Sequence, residues 1–390
     1  MQRFNFIDLF QKIFLFICLI YAFIPFEAVS FISTNKIHRI FLILIMLYAL
    51  YINSFKISKY GSIFFIIFLF FALINSFVSI GENIIIFAMS ILFAAIVVPI
   101  IYQNNKFKNQ FLVAIRWLII FSITMFFLQF ILYHITGEIL LLHELIFPFS
   151  KARIAEELSY GNLMRMGGIY IEPGTYSNYM FIYIFIYLTL TRNIKDILLF
   201  IGAISIILTA SVWGMIFASY FLVMLILSNL SMISVKNKLL FLSILIFVGY
   251  ESVGYLEHNL AVQYALNKTQ ANDKANGSTG AKKFVYLKYK KEYINLLLLG
   301  QGFKPEFQKN TFSLQDSGVL LNMSIIFGIF FTGIFFITFI LALLKITNYW
   351  IVLGSLPIFI SKIYYWEPAL YLLYFLVVYG AFLNYTKGKE

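Results

Sequence analysis

The sequence predicts an all-α, polytopic membrane protein, and three observations predict it. Hydrophobic residues make up 62% of the 390-residue chain and charged residues only 12%, about half the charged share of an ordinary soluble domain. Apolar runs of about 20 residues recur along the whole length, as a helix needs to cross ~30 Å of hydrocarbon. The runs are continuous, unlike the short alternating strands of a transmembrane barrel.

Taken in order, the runs predict spans over residues 13–31, 40–55, 62–80, 84–102, 111–133, 177–190, 197–210, 212–227, 239–256, 317–344, 349–360 and 368–385. That makes about 12 transmembrane helices in a single membrane domain over residues 1–390. Pro25, Pro99 and Pro357 fall inside spans, where a missing amide and the ring predict kinks. Arg3 and Lys12 before the first run resemble the start of a signal peptide, but no small-residue cleavage site follows, so the first span is expected to be retained. Cys18, the single cysteine, lies within it, which excludes an intramolecular disulfide and a cysteine metal cluster.

A formal charge of +12 would suggest nucleic acid in a soluble chain, but in a membrane protein the placement of the bases decides. They collect in short loops. With the N-terminus in the cytoplasm, Lys56, Lys59, Lys106, Lys108, Arg192, Lys195, Lys236, Lys238, Lys345, Lys387 and Lys389 all fall inside, with Lys36, Arg39 and Lys362 as exceptions. Both termini are therefore expected in the cytoplasm, with membrane lipids rather than nucleic acid as partners.

Two long segments then fall on the outer face, residues 135–176 and 257–315. In the first, residues 139–149 are apolar but too short to span, which predicts an interfacial or re-entrant helix. The second is lysine-rich. Its turn-rich residues 272–281 precede a predicted helix over 282–299 that ends at Gly300-Gln301-Gly302.

The first outer segment closes on Arg165-Met166-Gly167-Gly168-Ile169-Tyr170-Ile171-Glu172-Pro173-Gly174-Thr175-Tyr176, a polar stretch that runs straight into an apolar helix. Polar residues are sparse in so apolar a chain and mark the place to look for chemistry. With Lys282-Lys283, Tyr286, Gly300-Gln301-Gly302-Phe303, Asp316-Ser317-Gly318, Gly328 and Gly333 following in order, the chain resembles the O-antigen polymerases, bacterial membrane proteins that join lipid-linked oligosaccharide repeat units. The resemblance covers the layout of nearly the whole chain on few motif residues.

The resemblance implies a GT-C-like membrane glycosyltransferase with two large periplasmic loops in the bacterial inner membrane. It would use undecaprenyl-diphosphate-linked oligosaccharide as donor and acceptor, without a cofactor or a metal, and a chain-length regulator is a candidate partner. Such a donor carries its own leaving group, so orientation and charge stabilisation suffice. Two departures matter. Lys282 and Lys283 stand where many relatives place an arginine, which weakens bidentate phosphate recognition there. The related O-antigen ligases carry a histidine near the exit helix where this chain has Gln315-Asp316, which favours polymerase, with ligase the nearest alternative. A flippase or transporter of lipid-linked oligosaccharide would concentrate polar residues within several spans and keep its outer loops small, the reverse of this pattern.

On this reading Arg165 clamps the donor diphosphate through paired hydrogen bonds, or else pairs with Glu172 or Glu157. Glu172, pushed into extended backbone by Pro173, deprotonates the acceptor or orients Arg165 and the sugar. Asp316 is a second candidate base, or simply an acid at a helix N-terminus. Gly167 and Gly168 allow close approach or an ordinary turn. Tyr170 and Tyr176 stack on sugars or anchor at the membrane interface. Arg153, Lys282 and Lys283 form a second phosphate site or a lysine cluster facing anionic lipid. Thr175 and Ser177 are candidate N-caps. His38, His134, His143 and His258 show no paired ligand spacing, so no metal site is predicted, and His258 beside Glu257 remains a substrate-binding candidate. Asn75, Gln129 and Glu251 are read as interhelical hydrogen-bonding groups.

Overall fold

Helices dominate the structure, a computed structural model that describes residues 6–25, 34–78, 83–147, 150, 159–160, 163–229, 287, 300–303 and 318–387. In chain order they are α1 (Phe6–Phe23), α2 (Thr34–Ile52), α3 (Lys59–Val78), α4 (Asn83–Gln103), α5 (Asn105–Thr136), α6 (Leu142–Ile146), α7 (Pro173–Thr191), α8 (Ile197–Leu208), α9 (Val212–Asn229), α10 (Val319–Phe327), α11 (Ile329–Ile346), α12 (Tyr349–Ser355), α13 (Pro357–Ile360) and α14 (Pro368–Lys387). Two-residue strands β1 (Ser159–Tyr160) and β2 (Leu163–Met164) pair antiparallel just before Arg165.

Five described helices, α1, α4, α5, α9 and α11, are long and apolar enough to cross a membrane. The chain is a helical membrane protein, and its exposed apolar residues fall in stripes. On α11, Phe330, Ile334, Ile337, Leu341 and Leu344 are all exposed and lie on one face, which is stable against hydrocarbon and an aggregation hazard in water. At 32 residues, α5 is about 48 Å long, longer than the ~30 Å hydrocarbon layer.

Several predicted spans change shape. Pro25 kinks nothing, because α1 ends at Phe23 before it, whereas Pro99 stays inside a continuous α4. The run over 317–344 forms two helices, broken at Gly328, whose φ of 86° and ψ of 160° fit neither helix. The run over 349–360 also divides, with Pro357 opening the short α13. The apolar piece over 139–149 contributes a single turn, α6, rather than an interfacial helix of its full length. The predicted span over 239–256, and Glu251 with it, lie outside the described residues.

Asn104 Nδ2 donates to Ile52 O at 3.3 Å, Gln103 Nε2 to Tyr379 OH at 3.4 Å, Asn229 Nδ2 to Ile194 O at 3.2 Å and Asn348 Nδ2 to Ser228 Oγ at 2.6 Å. These bonds, with the contact of Tyr102 near the end of α4 with Arg192 at the end of α7, gather the α2–α3, α4–α5, α7–α8 and α11–α12 connections at one end of the bundle. That end carries Lys56, Lys59, Lys106, Lys108, Arg192, Lys195 and Lys345, the bases that the charge rule grouped together.

At the centre is α7, packed against α5, α8, α9 and α14. Every residue from Tyr176 to Leu190 is buried, so this helix is sheathed by protein and not by lipid. Its tyrosines follow from that position, since Tyr183 OH can donate to Phe23 O at 2.9 Å where a lipid-facing hydroxyl would go unsatisfied.

Candidate functional site at the head of the central helix

The polar stretch before α7 folds down onto α5. Gly168 has φ +61°, and a Cβ there would lie 3.1 Å from Phe126 Cα and N, so the chain crosses α5 where a side chain does not fit. Two polar groups fix the crossing. Gln129 on α5 accepts from Gly168 N at 2.8 Å and donates to Leu140 O at 2.9 Å. His143 on α6, 2% exposed, bonds Ile169 O through Nδ1 at 2.7 Å. Gln129 therefore ties two parts of the segment between α5 and α7 together instead of bridging two spans. Gly168→Ala is expected to cost at least about 1–2 kcal/mol from the left-handed backbone alone, measured as a lower melting midpoint of the purified protein. A Gly168→Ala variant that melts like the parent would contradict this close approach.

From there the chain enters α7 through Glu172, whose φ of −150° and ψ of 160° are the extended conformation that the following proline imposes. Glu172 is the N-cap and Pro173 opens the helix, so Thr175 and Ser177 lie inside it. Ser177 Oγ donates back to Pro173 O at 2.8 Å. The predicted caps were displaced because Pro173 is itself suited to the first helical position. Thr175 Oγ1 donates to Glu172 Oε1 at 3.5 Å. The amides of Gly174 and Thr175 precede the first intrahelical bond, Tyr176 N to Glu172 O at 3.1 Å, and first-turn amides of this kind favour an anion. Arg165 and Glu172 are both half-buried on this rim.

Tyr170 and Tyr176 lie inward of it. Tyr176 is 0% exposed, with its hydroxyl 2.7 Å from Ser205 Oγ on α8, and the two rings meet edge to face at 5.3 Å. Tyr170 OH is 3.2 Å from Ser122 Oγ, and burial holds this hydroxyl protonated well above its ordinary range. Neither ring presents a face to a sugar or to a lipid interface. They pack the seam between α5, α7 and α8, because the loop is drawn inward at Gly168. Gly167 and Gly168 are likewise buried; a Cβ on Gly167 would lie 2.9 Å from Glu172 C.

The same end of the bundle holds a second carboxyl that sequence reasoning missed. The α13–α14 connection lies against α7, with Asn178 Nδ2 donating to Lys362 O at 3.2 Å. It ends in Glu367-Pro368, so α14 opens with the same Glu-Pro pair as α7. Glu367 is 9% exposed and faces Tyr179 of α7. Burial pushes its carboxyl up to about 7, partly opposed by the Tyr179 hydroxyl. The signal was in the sequence: an acid directly before a proline at the head of an apolar run.

Polar groups without partners add to this end. Among the described residues, both amide atoms of the buried Gln301 and Oδ1 of the buried Asn322 make no hydrogen bond. Residues 300–303 run along α10, with Gln301 N donating to Ile325 O at 2.7 Å, and the Phe303 ring lies tilted beside Tyr365 of the α13–α14 connection, centroids 6.2 Å apart. A void of about 10 Å³ under the rim, between Ser177, Asn178 and Ser361, has room for at most one water. Buried polar groups of this kind are what hydroxyls of a bound ligand would satisfy. Arg153, Lys282, Lys283, His258 and Asp316 lie outside the described residues; Gly318, two positions beyond Asp316, packs on Ile360 next to the same connection.

Comparison of the chain with protein-family models, with curated proteins and with solved structures finds no match in any of the three.

Proposed function

We propose that the chain is a membrane glycosyltransferase of the O-antigen polymerase type, with about 12 spans in a GT-C-like arrangement. It transfers a growing glycan from undecaprenyl diphosphate to a hydroxyl of another lipid-linked repeat unit at the periplasmic face of the inner membrane. One observation carries the reading: two adjacent helices, α7 and α14, open at the same end with Glu-Pro pairs, beside a half-buried arginine, in a chain otherwise poor in charge.

The chemistry needs three things that this end supplies. The acceptor hydroxyl oxygen attacks the anomeric carbon, the bond from that carbon to the diphosphate oxygen breaks, and the electron pair leaves with the diphosphate. Arg165 and the first-turn amides of α7 take up the charge on the departing diphosphate. Glu367, with a carboxyl near neutrality, receives the hydroxyl proton. Glu172, the more open carboxyl, hydrogen-bonds the acceptor sugar and steadies Arg165. The bases at the opposite end of the bundle fit cytoplasmic termini under the charge rule.

A strain lacking the protein is expected to make surface polysaccharide with a single repeat unit, and complementation restores a ladder of longer chains on electrophoresis. Long chains in the deletion strain would refute the reading. Free lipid-linked polymer that is never attached to the lipid A core would instead identify a ligase.

A further inference from the structure

A cavity of about 390 Å³ opens at the other end of the bundle, where α4, α7 and α14 finish and α5 begins. Its volume is within the roughly 300–1,000 Å³ of small-molecule sites. Lys108 and Arg192 line it together with the polar side chains of Asn105, Thr191 and Asn384. Its floor is built. Tyr102 OH donates to Leu376 O at 2.9 Å and accepts from the Arg192 guanidinium, while the Tyr102 ring occupies the space that a side chain on Gly380 would need.

Among the described residues no acid lines the cavity. Asp196, the acid nearest on the α7–α8 connection, accepts from Leu198 N at 3.0 Å and Tyr187 OH at 2.6 Å. Asp8, at the same end, pairs with Lys12 at 2.5 Å. Among the described residues neither Lys108 nor Arg192 forms an ion pair. Arg192 also holds φ +54°, at the helix C-cap where glycine is the low-cost residue. The first turn of α5 adds amides, with Asn104 Oδ1 capping only Phe107 N at 3.1 Å.

We propose that this cavity binds a phosphate ester, held between the Arg192 fork, the Lys108 ammonium and the start of α5, and that in the membrane the ligand is the headgroup of an anionic phospholipid. A guanidinium and an ammonium facing one cleft, with hydroxyls and amides around them, match a tetrahedral anion. The cavity also lies at the level where the spanning helices end, where a basic pocket meets anionic headgroups.

The test uses the full-length protein reconstituted in nanodiscs of phosphatidylglycerol and phosphatidylcholine, then released and weighed by native mass spectrometry. The parent is expected to retain phosphatidylglycerol, and Lys108→Gln/Arg192→Gln to retain about tenfold less. The control Lys106→Gln/Lys195→Gln removes the same charge from neighbouring positions that do not line the cavity and is expected to retain it like the parent. Equal losses in both variants would mean diffuse surface attraction and overturn the proposal. Lys108→Gln alone, at an ordinary helical position, gives a partial loss even where the double variant does not fold; full retention there overturns the proposal as well. Inorganic phosphate supplies the second arm. Displacement of the lipid by millimolar phosphate confirms the shared chemistry, and raised thermal stability with phosphate but no lipid retention in the parent would assign the site to a soluble phosphate and overturn the lipid.

Discussion

Replacing Arg165 with alanine is expected to slow chain extension by about 10²- to 10³-fold, the usual effect of removing one group aimed at developing charge. Arg165 is half-buried directly before a loop pinned by Gln129, His143 and the close approach at Gly168, so its guanidinium starts from a fixed backbone at the head of α7. The melting midpoint of Arg165→Ala is measured alongside, so that a loss of rate in a variant that melts like the parent is assigned to the chemistry and not to folding. Arg165→Lys keeps the charge but not the planar fork, and should recover only part of the rate. If Arg165→Ala extends chains at the parental rate, the diphosphate is handled elsewhere.

Replacing Glu367 with glutamine should have the second large effect, visible in two independent measurements. The first is catalytic: loss of a positioned base lowers turnover by about 10²- to 10⁴-fold, and the limb of the pH–rate profile near 7 disappears. The second is stability. The native carboxyl ionises at about 7 against an ordinary value of 4.5. Between these values the unfolded chain loses its proton first, so stability is greatest below 4.5 and falls as the pH rises through 7, by on the order of 3 kcal/mol. Glu367→Gln should remove this fall and melt higher than the parent at pH 8. A variant that shows the stability change but keeps its turnover would make Glu367 a structural residue and return the proton to Glu172.

Much of the architecture was legible in the sequence because membrane helices announce themselves by length and hydropathy. The boundaries of α4, α8 and α9 and the grouping of the bases at one end follow from these alone. What the sequence hid was depth. Tyr170 and Tyr176 read as interfacial residues because tyrosine is common there, yet Gly168 lets the loop sink between helices and takes both rings into the core. Glycine breaks were also invisible to hydropathy: Gly328 divides a run that is apolar on both sides. Glu367 escaped notice because a lone acid near a span reads as a boundary, and only the packing of α14 against α7 brings it to Tyr179. His143 escaped for a different reason, since a histidine without a ligand partner reads as incidental, and its bond to Ile169 O joins residues far apart in the chain.

Polymerisation itself is read by reconstituting the purified protein in proteoliposomes containing an undecaprenyl-diphosphate-linked oligosaccharide repeat unit, with the products resolved by size. A polymerase gives a ladder of glycans lengthened by whole repeat units, released undecaprenyl diphosphate in matching amount, and no ladder with Arg165→Ala. Repeat units that cross the bilayer unchanged in length would contradict it and make the protein a transporter.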